Sequence, residues 1–195
     1  MQSDIAASQI FPHVRIVMGM VVGLGMTRLL SGVARVIQHP DRHPPSAIHL
    51  GWVLFVLLML VHFWWWEIRL FEISHWTFVI YLFLIGYAVL LFLLCAFLFP
   101  ESMVDYRDYE DFFFRRRSWF FAALAATYLI DLADTLLKGR AHLEALGAEY
   151  LARIPIGVGV CILAMVVRNK TAHAVLVIGM LAYEAVFIFR LFDTL

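Results

Sequence analysis

An all-α bundle of six membrane-spanning helices, forming a single domain over residues 1–195, is the fold class this chain predicts. Three observations carry that reading. Hydrophobic residues make up 63% of the 195 positions and aromatics 15%, with a mean hydropathy of +0.84. An ordinary soluble domain is about 45–50% apolar, so the surplus has no core to enter and must face lipid. Six runs come close to the roughly 20 mostly apolar residues a span requires. Between them stand clusters of proline and charge, which cannot continue a span through lipid because every backbone group there needs an internal partner.

The first run is Val14 to Ile37. The stretch before it, MQSDIAASQIFPHV, has no basic n-region, so it reads as an uncleaved start rather than a secretory signal. DRHPPS separates it from the second run, Ile48 to Trp66, which ends in three tryptophans. Tryptophan favours the headgroup level, so FWWWE at Phe63 to Glu67 reads as an interfacial anchor. A charged turn around Glu72 to His75 leads to the third run, Thr77 to Phe99. It holds no ionisable side chain except Tyr and Cys, and is expected to face mostly lipid. The segment ESMVDYRDYEDFFFRRR follows. Tyr106, Tyr109 and Phe113 recur at helical spacing among aspartates, which suits a short amphipathic helix lying at the interface; a solvated connector is the alternative. The last three runs are Ser118 to Leu137, Tyr150 to Val167 and Ala172 to Phe192, with RNKTAH between the final two.

With six spans, both termini share one side with the connectors after spans two and four; we call it side A and its opposite side B. Outside the deep positions, side A carries four basic residues, Arg15, Arg69, Lys138 and Arg140. Side B carries eight: Arg35, Arg42, Arg107, Arg115, Arg116, Arg117, Arg168 and Lys170. The positive-inside rule then places side B in the cytoplasm and both termini in the periplasm.

Charges inside the spans are the strongest functional signal. One at the bilayer centre costs about 2.5–3.5 kcal/mol on insertion scales, so it needs a partner or a task. Counting from side B at about 1.5 Å per residue, Arg28 lies near about 13 Å and Glu184 near about 15 Å, which suggests a structural pair. Asp131 lies near about 20 Å, His62 near about 21 Å, and Asp134, Arg153 and Arg190 near about 24 Å. Glu67 falls close to the side-A surface. Thr127, Asp131, Asp134 and Lys138 follow i, i+4, i+7, i+11, one narrow helical stripe. On span one, Arg28 and Arg35 share a face with Gly25, Ser31 and Gly32, which should look into the bundle. Gly19 and Gly23 form a GxxxG on roughly the opposite face, a candidate contact between two copies of the chain.

Two readings of these charges compete. In the first, Asp131 and Asp134 exchange a proton or cation, with His62 as relay and Glu67 nearby, in a small channel or transporter for protons, cations or a small solute. In the second, Arg28–Glu184, and Arg153 or Arg190 with the aspartates, are ion pairs that fix helix register in a non-transporting scaffold or sensor. A third chemistry, haem, is suggested by His49 and His62 thirteen residues apart, with His173 as the residue to face His49. No HExxH, GxSxG, Walker or CxxC motif occurs, so no motif points to an enzyme, a bound metal or another cofactor. Cys95 and Cys161 both sit in apolar runs and read as buried small residues. A net charge of zero and a pI near 7.1 give no reason to expect a nucleic-acid partner. TRLLSGVAR at Thr27 to Arg35 and DTLLKGRAH at Asp134 to His142 share Leu-Leu, Gly and Ala, as an inverted repeat of three spans per half would.

The runs VHFWWWEIRL, WTFVIYLFLIGYAVLLFLLCAFLFP, RRRSWFF and DLADTLLKG together resemble a group of uncharacterised bacterial integral membrane proteins of about this size. The resemblance covers most of the chain. It implies six spans in a bacterial inner membrane and carries no activity, ligand or site residue with it.

Overall fold

The computed structural model describes residues 2–40, 44–73 and 75–192. Six helices account for nearly all of it: α1 (Gln2–Gln38), α2 (Ala47–Trp66), α3 (Phe78–Ala96), α4 (Tyr109–Leu137), α5 (Arg140–Val166) and α6 (Lys170–Phe192). The fold is all-helical, with 85% helix and no strand among the described residues. All six helices are long and apolar enough to cross a membrane. A short 3-10 helix, Glu67–Glu72, continues the end of α2.

Polar residues start the helices where the sequence breaks. Ser46 and Thr77 accept the backbone N–H groups of His49 and Ile80 at 3.4 and 3.3 Å. Asp108 accepts that of Asp111 at 2.8 Å. Each side chain thus satisfies a donor that has no partner within its own helix. The hydrogen bond from Asp111 also holds the Asp108 carboxyl below the usual carboxylate range.

Helix α2 is the hub. It packs against α1, α3, α4 and α6, while the most extensive pairings elsewhere are α1 with α3 and α4 with α5. Buried positions on α1 run Val14, Met18, Val22, Gly25, Leu29, Gly32 and Val36, steps of three and four that keep to one face of the helix. A Cβ at Gly32 would stand 2.3 Å from the Phe99 ring, so only glycine lets the end of the α3 segment lie against α1 there. On the side-B half, Trp52 meets Phe121 at 5.0 Å, Phe55 at 5.5 Å and Phe120 at 5.6 Å. These edge-to-face rings, all buried, fill that half of the bundle.

Several expectations change. The 109–117 stretch is not a separate interfacial helix: it is the beginning of α4, and Tyr109, Phe112 and Phe113 are buried in the core. Aromatic packing against His49 and Phe99 draws those turns inward. Most of α3 is turned outward as expected, and its buried residues, Leu84, Tyr87, Ala88, Leu91, Leu94 and Cys95, form one inward stripe. Of the three tryptophans, Trp65 faces outward, whereas Trp64 covers Gly19 and Trp66 turns toward His62. Gly19 is therefore occupied within the chain, and the bare part of the GxxxG is Gly23, with open space around it. The two LLxG stretches differ too. Gly32 is mid-helix, whereas Gly139 has φ +111 and separates α4 from α5. Helix α5 is interrupted at Gly147, where φ is 71. Both cysteines are free and buried.

Gly32→Ala should lower the melting temperature of the detergent-solubilised protein, with an overpacking cost of about 1–3 kcal/mol. Gly23→Ala should leave it unchanged or raise it, since alanine is the better helix former by about 1 kcal/mol. Equal effects in a thermal-shift assay would contradict the close α1–α3 approach.

Candidate functional site: a polar cavity between two ionic clusters

A cavity of about 40 Å³ lies in the side-A half, enclosed by α2, α3, α4, α5 and α6. One wall presents the Asp131 carboxylate with Tyr87, Tyr128 and Tyr150; the other presents His62 and Arg153 beside Phe187. Trp66 and Phe63 line it from α2. A space of this size, with polar groups on opposite walls, accommodates a few water molecules.

The stripe on α4 faces inward as its spacing predicts. Thr127 and Asp134 are buried and Asp131 half-buried. Asp131 is held by phenols: the Tyr150 hydroxyl donates to Oδ2 at 2.9 Å, and Tyr87 to Oδ1 at 3.4 Å. Tyr150 also lies 2.7 Å from the Thr135 hydroxyl. Span three thus contributes a polar group to the cavity through Tyr87. Tyr87 and Tyr150 carried no expectation of a site role, because a tyrosine in an apolar run looks the same whether it packs or binds.

On the opposite wall, Glu184 is shared. His62 Nδ1 lies 3.0 Å from its Oε1, and Arg153 donates to its Oε2 at 2.6 Å. The Arg153 guanidinium also lies over the Phe187 ring at 4.3 Å. A planar cation with one face on an aromatic ring and one edge on a carboxylate is locked in place.

A second cluster lies nearer the side-A end. Lys138 donates to Glu67 at 2.9 Å and to Asp134 at 2.5 Å. The Lys138 and Asp134 side chains are 0% exposed and that of Glu67 2%. Glu67 is thus enclosed within the bundle near its side-A end. The Lys138 ammonium also lies 5.8 Å from the Trp66 ring, which in turn meets His62 at 5.8 Å.

The expected pairings are redistributed. Arg28 does not meet Glu184, and α1 and α6 do not touch among the described residues. Its guanidinium instead donates to the Phe99 carbonyl at 3.0 Å. Arg153 serves Glu184 rather than the aspartates. Arg190 pairs with Glu149 at 2.9 Å, on the periphery. Asp134 belongs to the lysine cluster and does not line the cavity.

The histidines expected for haem are occupied by packing. His49 bonds the Leu98 carbonyl at 2.5 Å and stacks on Tyr109; His173 bonds the Val167 carbonyl at 3.0 Å. Phe113 contacts both rings, so a side chain stands where a macrocycle would have to bridge them. No group of three or more His, Cys, Asp or Glu suited to a metal occurs among the described residues. Comparison with protein-family models, with curated proteins and with solved structures gives no match.

Neutralising Glu184 alone should destabilise the protein by about 3–5 kcal/mol, because the Arg153 guanidinium loses its carboxylate; neutralising Arg153 should cost less, because His62 still bonds Glu184. The double variant Arg153→Met/Glu184→Gln should cost clearly less than the two single effects added. The corresponding cycle with Arg28→Met should be additive within about 0.5 kcal/mol. Coupling of Arg28 to Glu184 in denaturant unfolding would reverse this assignment.

Proposed function

We propose that this protein is a small proton transporter of the bacterial inner membrane, with Asp131 as the exchanging carboxylate and His62 as the relay. The observation that carries the reading is the cavity itself. Its volume of about 40 Å³ suits water and a proton better than an organic solute, for which pockets run to about 300–1,000 Å³. Asp131 and His62 line that space with three tyrosines, two of which bond Asp131 through their hydroxyls, so proton acceptors and donors stand within reach of the same few waters. Asp, Glu and His gathered inside a membrane bundle commonly mark proton pathways.

Toward side B the cavity is bounded by Met59, Leu91 and Thr127, and the packed rings of Trp52, Phe120 and Phe121 lie further along the bundle. A proton entering from side A would therefore reach Asp131 and stop there in this conformation. Alternating exposure of Asp131 to the two sides, rather than a continuous open pore, is the mechanism this arrangement favours. The Glu67–Lys138–Asp134 cluster then takes a structural part, tying the ends of α2 and α4 together beside the entrance.

The reading is tested in proteoliposomes carrying a trapped pH-sensitive dye, with a potassium diffusion potential as driving force. The parent protein should conduct protons, and Asp131→Asn should slow that flux by about a hundredfold, the scale of a lost positioned proton donor or acceptor. Asp134→Asn should act through stability rather than rate. Flux that survives Asp131→Asn together with Asp134→Asn would move the pathway elsewhere. No flux in the parent would favour a scaffold whose charges only hold the bundle.

We also propose that side B faces the cytoplasm. Lys138 is buried in its ion cluster, so the basic excess at the side-B surface is even larger than the sequence count. A reporter fused after Leu195 should read periplasmic, and one inserted at the exposed Val104 cytoplasmic. The opposite pattern would invert the direction of proton entry.

A further inference from the structure

A groove of about 520 Å³ opens at the side-B end between α1, the end of the α3 segment and the start of α4. It lies apart from the central cavity and shares no lining residue with it. Its charged lining residues are Arg28, Arg116, Glu101 and Asp105, and Trp119 forms part of the wall.

The two cations are held by neutral groups. Arg28 donates to the Phe99 carbonyl at 3.0 Å, and Arg116 to the Tyr106 hydroxyl at 3.1 Å. The Arg28 Nε is buried with no hydrogen-bond partner. Among the described residues, neither cation forms an ion pair with Glu101 or Asp105, although all four line one groove. An arginine within a span ordinarily has a counter-charge, because the bilayer supplies little water to replace one. Trp119 is 64% exposed beside Phe97, an aromatic placement suited to the headgroup boundary.

We infer that this groove binds the headgroup of an aminophospholipid of the phosphatidylethanolamine class. The lipid phosphate sits between Arg28 and Arg116, where guanidinium groups offer N–H donors to its oxygens. The primary ammonium lies toward Glu101 and Asp105, and the glycerol and upper acyl chain run along Trp119. Charge balance selects this class. Two cations and two carboxylates give the groove no net attraction for an anionic lipid, whereas a headgroup bearing both signs satisfies both pairs. A primary ammonium also donates N–H bonds to carboxylates, which a quaternary one lacks.

Native mass spectrometry of the delipidated full-length protein, with defined lipids added in detergent, tests this. Phosphatidylethanolamine should be retained about fivefold or more over phosphatidylcholine and phosphatidylglycerol at equal concentration. Arg116→Gln should reduce retention of phosphatidylethanolamine, and Glu101→Gln with Asp105→Asn should erase its advantage over phosphatidylcholine. These three positions are exposed, so the variants report on binding even if Arg28→Gln fails to fold. Equal retention of all three lipids would reduce the groove to ordinary annular contact and overturn the inference. Preference for phosphatidylglycerol, or displacement of the lipid by millimolar inorganic phosphate, would overturn it in favour of a simple anion site.

Discussion

Charge neutralisation inside a low-dielectric bundle is the constraint on which the rest of this structure depends. Lys138 is enclosed by Glu67 and Asp134 with its side chain 0% exposed. Those contacts join the end of α2 to the end of α4 across 71 positions of sequence. Two carboxylates share one ammonium there, and Glu67 Oε2 and Asp134 Oδ1 have no hydrogen-bond partner of their own. Breaking such a cluster leaves a buried charge uncompensated, at a cost of about 3–5 kcal/mol. The chain reverses immediately afterwards, at Gly139 with φ +111, a conformation that disfavours every side chain bearing a Cβ. The ionic tie and the glycine together set where α5 starts, and so bring Tyr150 beside Asp131.

The cavity follows from how the two clusters are spaced. Helix α6 packs mainly on α2, and α5 mainly on α4, and His62 and Asp131 line the space between these pairs. Arg153 and Glu184 join α5 to α6 beside it, where the two helices touch only sparsely. Their length keeps the space open, whereas the equivalent space on the side-B half is filled by Trp52, Phe120 and Phe121. A polar chamber on one half and a packed aromatic layer on the other make the bundle asymmetric across the membrane.

What the sequence made legible was whatever depends on one helix at a time. The α4 stripe from Thr127 to Lys138 faces the interior as its spacing predicts, because the angle of a side chain about its own helix follows from the 3.6-residue period. Spans were legible for the same reason. Pairing between helices was not. Arg28 and Glu184 share a depth, but depth carries no information about which helices are neighbours, and α2 stands in contact with both α1 and α6. The start of α4 was missed because charges at Asp105, Asp108 and Asp111 suggested an interface. Tyr109 and Phe113 are buried by partners from distant segments, His49 and Phe99. Tyr87 escaped notice because a phenol in an apolar run becomes a hydrogen-bond donor only when a carboxylate on another helix faces it.

Tyr150 gives the proposed proton chemistry its directional element. Its hydroxyl has one proton and lies within hydrogen-bond distance of both the Asp131 carboxylate and the Thr135 hydroxyl. With Asp131 ionised, the phenol must donate to the carboxylate, and Thr135 donates to the phenol. With Asp131 protonated, the acid itself has a donor, and the phenol proton is free to turn toward Thr135. Gain or loss of a proton at Asp131 therefore reverses the hydrogen bonds that join it to Tyr150 and Thr135. In the proposed transport cycle, that reversal is how occupancy of the cavity carboxylate would be passed from α4 to α5, which carries Tyr150.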